Sequence, residues 1–148
     1  MAIAMPGRGE PVYRGEMAHT PKAIGKWLEG LNSEFGGALL LFCYEAGPCG
    51  YGLYRQILAR GHDCQVIAPS RTPKSPGERI KTDRRDALKL ARLLRAGELT
   101  AVWVPDQEQE RMRDLTRARD DMKGQERKAR QQLNGFVLRH GHAWPGNK

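Results

Sequence analysis

Seven consecutive apolar residues, Ala38 to Tyr44, follow Gly36 and Gly37 and run into Glu45 and the Ala46-Gly47-Pro48 turn. A run this short, without polar alternation and closed by turn residues at both ends, predicts a strand covered on both faces in the middle of a sheet. The flanking segments fit such a sheet. Thr20 followed by Pro21 offers an N-cap and a first-turn proline, and Ile24, Trp27, Leu28 and Leu31 recur at helical spacing. An amphipathic helix is therefore predicted from Thr20 to Asn32. Beyond Glu45 a second helix carries Leu53, Tyr54, Ile57 and Leu58 and stops at Gly61, and Cys64 to Ala68 is a second buried strand. Helix, strand, helix, strand is the pattern of an α/β fold, a parallel sheet covered by helices.

The remaining segments extend this core. Residues 1–10, with their Gly and Pro content, read as a disordered start, and Pro11 to Ala18 as a short edge strand. Pro69 to Ile80 holds three prolines and a glycine and reads as a basic loop. Thr82 then caps a helix to about Ala96 whose core face is Ala87, Leu90, Ala91 and Leu94. Val102 to Val104 is a brief extended piece. Asp106 caps a last helix that meets no proline before Pro145, with Met112, Leu115, Met122, Ala129, Leu133 and Phe136 in a 3-4 spacing that Arg119 and Glu126 interrupt. At 1.5 Å per residue that helix is on the order of 50 Å long, more than a small domain can cover, so it is expected to project and find a partner helix. The division expected is a start over 1–10, a core domain over 11–104, a coiled-coil type helix over 105–141 and a tail over 142–148.

With 148 residues, 39% hydrophobic and 28% charged, the chain has the composition of one soluble domain plus an appendage. Its longest apolar run is far below a bilayer span, and no secretory leader is legible, so a cytoplasmic protein is expected. Cys43, Cys49 and Cys64 show no metal-type spacing and read as free thiols, while His140 and His142 read as solvated. A net charge of +8 points to polyanionic partners. Between Arg71 and Gly97 nine basic residues face three acidic ones. Arg71, Lys74, Arg79, Lys81, Arg84 and Arg85 are the candidates for gripping a nucleic-acid backbone without sequence preference.

Two aspartates stand inside this basic stretch. Two-metal phosphodiester chemistry needs several carboxylates converging on one point, and in open α/β sheets that point lies at the carboxyl ends of the strands. Glu45 ends the apolar strand, and Asp83 and Asp86 share the first turn of a later helix, at its positive dipole end. The three are the candidate metal-binding and catalytic residues. A solvated loop glutamate and simple helix capping explain the same residues without a site, and the local chemistry alone leaves both open.

Tyr44-Glu45-Ala46-Gly47-Pro48, then Gly50-Tyr51-Gly52-Leu53-Tyr54-Arg55, then Lys81-Thr82-Asp83-Arg84-Arg85-Asp86-Ala87 resemble the N-terminal domain of the DEDD insertion-sequence transposases related to the Piv invertase. The likeness continues through Leu93 to Leu99 and Val102-Trp103-Val104-Pro105 to Arg139-His140-Gly141, covering roughly residues 11–148. The resemblance implies a RuvC-like, ribonuclease H-like mixed sheet with flanking helices and four acidic residues that bind magnesium, with Glu45, Asp83 and Asp86 matching the second, third and fourth. It further implies DNA transposition, binding of DNA and of a structured guide RNA, and homo-oligomer assembly through a coiled-coil segment. The family's first acidic residue, on its first strand, has no counterpart, since no aspartate precedes Asp63. The family's C-terminal domain, with its nucleophilic serine, has none either. The expectation is a truncated, catalytically incomplete member lacking its first two strands. The alternative is a non-catalytic nucleic-acid-binding or dimerising module that pairs with full-length transposase and inhibits it.

Overall fold

A computed structural model describes residues 1–73 and 82–143. The chain forms two compact units, Met1–Val104 and Pro105–Lys148. The first is a mixed α/β unit of β1 (Ala2–Ile3), β2 (Val12–Tyr13), α1 (Pro21–Glu34), β3 (Leu41–Glu45), α2 (Gly52–Leu58), β4 (Asp63–Ile67) and α3 (Asp83–Ala96). The second is the single helix α4 (Gln107–Arg139). No described helix is long and apolar enough to cross a membrane.

Helix ends follow their capping residues. The Thr20 hydroxyl accepts the Ala23 N–H at 3.2 Å, with Pro21 opening α1. Thr82 accepts from Arg85 N–H at the start of α3, and Gly97 closes that helix at φ 72°, a left-handed position that a side chain would strain. Asp106 and Gln109 form a reciprocal capping box at the start of α4.

β3 and β4 pair in parallel, from Leu41 opposite Asp63 to Glu45 opposite Ile67. On the far side of β4, Ile67 bridges Ala101 and Val102 N–H donates to Val66 at 2.7 Å, which accounts for the brief extended piece expected there. β4 is thus the inner strand, with Val66 and Ile67 buried. β3 has β4 as its one strand neighbour among the described residues. This corrects the central, doubly covered strand expected over Ala38 to Tyr44. The strand begins only at Leu41, because the chain is still turning through Gly36 and Gly37 at φ 61° and 73°, and Leu39 and Leu41 stand 69% and 48% exposed.

One face of the β3–β4 pair carries the main core. Ile24 and Leu28 of α1 meet Ile57 of α2, with Met17, Trp27, Phe42, Leu53 and Cys64 packed around them. The Trp27 and Phe42 rings meet edge to face at 5.6 Å. Because strand side chains alternate, Cys43 and Glu45 point to the opposite face. α3 packs against β3 and against both β1 and β2.

Residues 1–10, expected as a disordered start, contribute β1. Ala2 pairs with Tyr13 and Ile3 with Val12, antiparallel, in a sheet separate from β3–β4. The Met1 ammonium donates to the Gly15 carbonyl at 2.7 Å and Arg14 N–H to the Met1 carbonyl at 2.9 Å. The connecting loop is held by α3, where Arg95 donates to the carbonyls of Met5 and Gly9 and Arg92 meets Glu10 at 2.9 Å.

Candidate functional site

The first turn of α3 gathers four charged residues in sequence. Thr82 caps it, and Asp83, Arg84 and Arg85 are exposed while Asp86 is half-buried. Both carboxylates lie where unsatisfied backbone N–H groups favour negative charge. The Arg84 guanidinium carbon stands 5.5 Å from the centroid of the Tyr13 ring, so this turn also rests on β2. Sequence spacing held no sign of that contact, which joins residues far apart in the chain.

Glu45 occupies the last position of β3 and is half-buried, and α3 packs against the same strand. Its charge is felt beside it. Burial first, and then the Glu45 carboxylate, push the Cys43 thiol up to about 11. On the adjacent strand burial, followed by Cys43, pushes the Cys64 thiol up to about 12. Tyr44, on the core side, is raised by burial and donates to the Gly50 carbonyl at 3.0 Å, which fastens the turn after Glu45. All three cysteines are free thiols.

Magnesium of the two-metal type requires carboxylates that meet. Among the described residues no three His, Cys, Asp or Glu side chains come together in a way that could hold a metal ion. Glu45, Asp83 and Asp86, as placed, therefore do not make up a ligand set.

The basic candidates divide. Arg71 ends a single 3-10 turn, Pro69–Arg71, and is exposed, as are Arg84 and Arg85. Lys74, Arg79 and Lys81 lie outside the described residues. Arg92 and Arg95, which added to the local charge surplus, face the β1–β2 loop instead. His62 is a polar residue that the sequence pattern did not mark. It is 5% exposed, its Nδ1 accepts the Leu40 N–H at 3.5 Å, and its Nε2 has no hydrogen-bond partner among the described residues. It braces the start of β3 and lies away from the acidic pair on α3 in sequence and element.

The chain is similar to known proteins over most of its length. A family model described as a transposase, of the DEDD and IS110 type, matches residues 1–141. The chain is 52% identical over 149 aligned residues to the candidate transposase y4qE of Sinorhizobium fredii, covering 100% of this chain and 38% of that one. It is 38% identical over 125 residues to the transposase for insertion sequence element IS1533 of Leptospira borgpetersenii, covering 84% of this chain and 36% of that one. The chain thus spans under two fifths of the length of these relatives. No solved structure matches.

Proposed function

The chain belongs to the DEDD transposase family of the IS110 type, and from that premise we propose that it is the ribonuclease H-like, nucleic-acid-engaging portion of an insertion-sequence transposase. The observation that carries this is the first turn of α3, where two arginines and two aspartates share a capped helix start that packs beside the strand ending in Glu45. Arginines of such a turn hold phosphate oxygens by charge and geometry, which positions a backbone without reading its sequence. On this reading Arg71, Arg84 and Arg85, with Lys74, Arg79 and Lys81, grip DNA in transposition and a structured guide RNA.

Glu45, Asp83 and Asp86 are then the candidates for a magnesium site, which in the arrangement described they do not form by themselves. In that arrangement magnesium binding is weak. The test is fluorescence anisotropy of the whole chain with a labelled DNA duplex and a labelled RNA hairpin across a salt series, together with magnesium calorimetry. Affinity that falls steeply with salt and weak magnesium heat are expected. Salt-independent affinity would sink the nucleic-acid reading, and tight magnesium binding would sink the incomplete-site reading.

A second reading is favoured by α4. None of its residues is buried, and Met112, Leu115, Met122, Leu133 and Phe136 are each more than half exposed. A helix that leaves such a row uncovered suits a dimerising module, joining two copies or a copy and a longer transposase.

A further inference from the structure

We propose that α4 pairs with α4 of a second copy of this chain, and that the two helices run antiparallel with Gly124 at the centre of the overlap. This rests on the reading of α4 as a dimerising helix and adds its orientation and register.

The 3-4 spacing assigns Met112, Arg119, Glu126 and Leu133 to one core position of the heptad and Leu115, Met122, Ala129 and Phe136 to the other. All are uncovered in the single chain, where no α4 residue is buried. In a parallel, in-register pair each position meets its own copy. Arg119 would then face Arg119 and Glu126 would face Glu126 inside the seam, two layers of like charge that association cannot offset.

Reversing one helix removes both conflicts. With Gly124 at the centre, Met112 lies opposite the second copy's Phe136, Leu115 opposite Leu133, Arg119 opposite Ala129 and Met122 opposite Glu126. Arg119 is then about 4.5 Å along the axis from the second copy's Glu126, across an interhelical distance of about 8–10 Å, within reach of an arginine side chain. The small Ala129 leaves space for the guanidinium to lie along the seam. The arrangement is symmetric, so it forms two such ion pairs.

In the single helix these charges are held only on the surface. Arg119 lies 3.7 Å from Asp120, and Glu126 lies 2.7 Å from Arg130, pairs worth little when solvated. Exchanging them for cross-helix partners is therefore inexpensive. Lys123 comes beside its own counterpart at the wet edge of the seam, where salt screens the repulsion. A polar residue placed in an otherwise apolar seam is a known means of selecting one pairing over another.

Sedimentation equilibrium of the whole chain tests the pairing, using the unaltered protein, Arg119→Glu, and Arg119→Glu combined with Glu126→Arg. The single change should weaken the dimer about tenfold and the double change restore it to within about threefold, because the pair is re-formed with its signs exchanged. A parallel pair would leave the single variant unweakened. Orientation is read separately by oxidation in a Cys49→Ser background, since Cys49 is the exposed native thiol. Leu115→Cys chains should link to Leu133→Cys chains and not to themselves, their own counterparts being about 27 Å away along the axis. A monomer at every concentration overturns the dimer reading and this proposal with it. A dimer in which Leu115→Cys links to itself overturns the orientation alone.

Discussion

Replacing Arg84 and Arg85 with alanine separates a structural role from a functional one, because the two neighbours differ in what they touch. Arg84 lies over the Tyr13 ring at 5.5 Å and binds the first turn of α3 to β2, whereas Arg85 contributes its backbone N–H to the Thr82 cap and extends an exposed side chain. An exposed cation–π interaction is worth about 0.5–1 kcal/mol, so Arg84→Ala should lower the melting temperature by roughly 2–8 °C for a unit of this size. Arg85→Ala keeps the backbone cap and should cost under about 0.5 kcal/mol. In DNA binding the two should behave alike. Removing one arginine from a phosphate flattens the slope of log affinity against log salt by about 0.9, so the double variant should be flatter by about 1.8. Between 50 and 200 mM salt its affinity should therefore fall about tenfold less than that of the unaltered chain. Anisotropy across a salt series measures the slope, and a thermal melt measures the stability. Tyr13→Leu serves as the control, lowering the melting temperature without changing the slope. If the double variant keeps the slope of the parent, these arginines do not touch phosphate and the proposed interface is wrong.

Other perturbations have equally definite outcomes. Leu28 is fully buried between α1 and α2, so Leu28→Ala should cost about 3 kcal/mol in urea unfolding followed by circular dichroism, while the exposed Leu39→Ala should stay within about 0.5 kcal/mol; equal costs would contradict this placement of the core. Thr82→Ala should destabilise the first unit by about 1 kcal/mol by removing the α3 cap, and an unchanged unfolding midpoint would count against that cap. At pH 8 a thiol reagent should modify the exposed Cys49 rapidly and Cys43 and Cys64 only slowly, since burial raises those two to about 11 and about 12. Because the folded values lie above the ordinary thiol value of 9.0, stability from these two groups is fully present below pH 9 and is lost as pH rises toward 11 and 12. Uniform labelling of all three thiols would overturn the burial argument.

Local signals were sufficient for the helices and insufficient for the sheet. Thr20, Thr82 and Asp106 each cap the helix predicted from them, since capping acts within four residues and is written in adjacent letters. β1 has only two residues and no periodicity to detect, and its hydrogen bonds depend on partners across a loop. The apolar content of Ala38 to Tyr44 announced a strand but not its neighbours, because strand order depends on long-range pairing. The candidate site divides in the same way. The Asp83 to Asp86 turn was legible from the Thr82 cap and the helical spacing, whereas the Tyr13 platform under Arg84 and the capture of Arg92 and Arg95 by the β1–β2 loop required the tertiary structure.

The outer edge of β3 bears on how this protein behaves as its concentration rises. Leu41-Phe42-Cys43-Tyr44 offers a short backbone rim without proline or charge, and no other described strand covers it. Such a rim is a template for further strands, and joining two templates depends on the square of their concentration. Self-association through this rim is therefore expected to rise steeply with protein concentration.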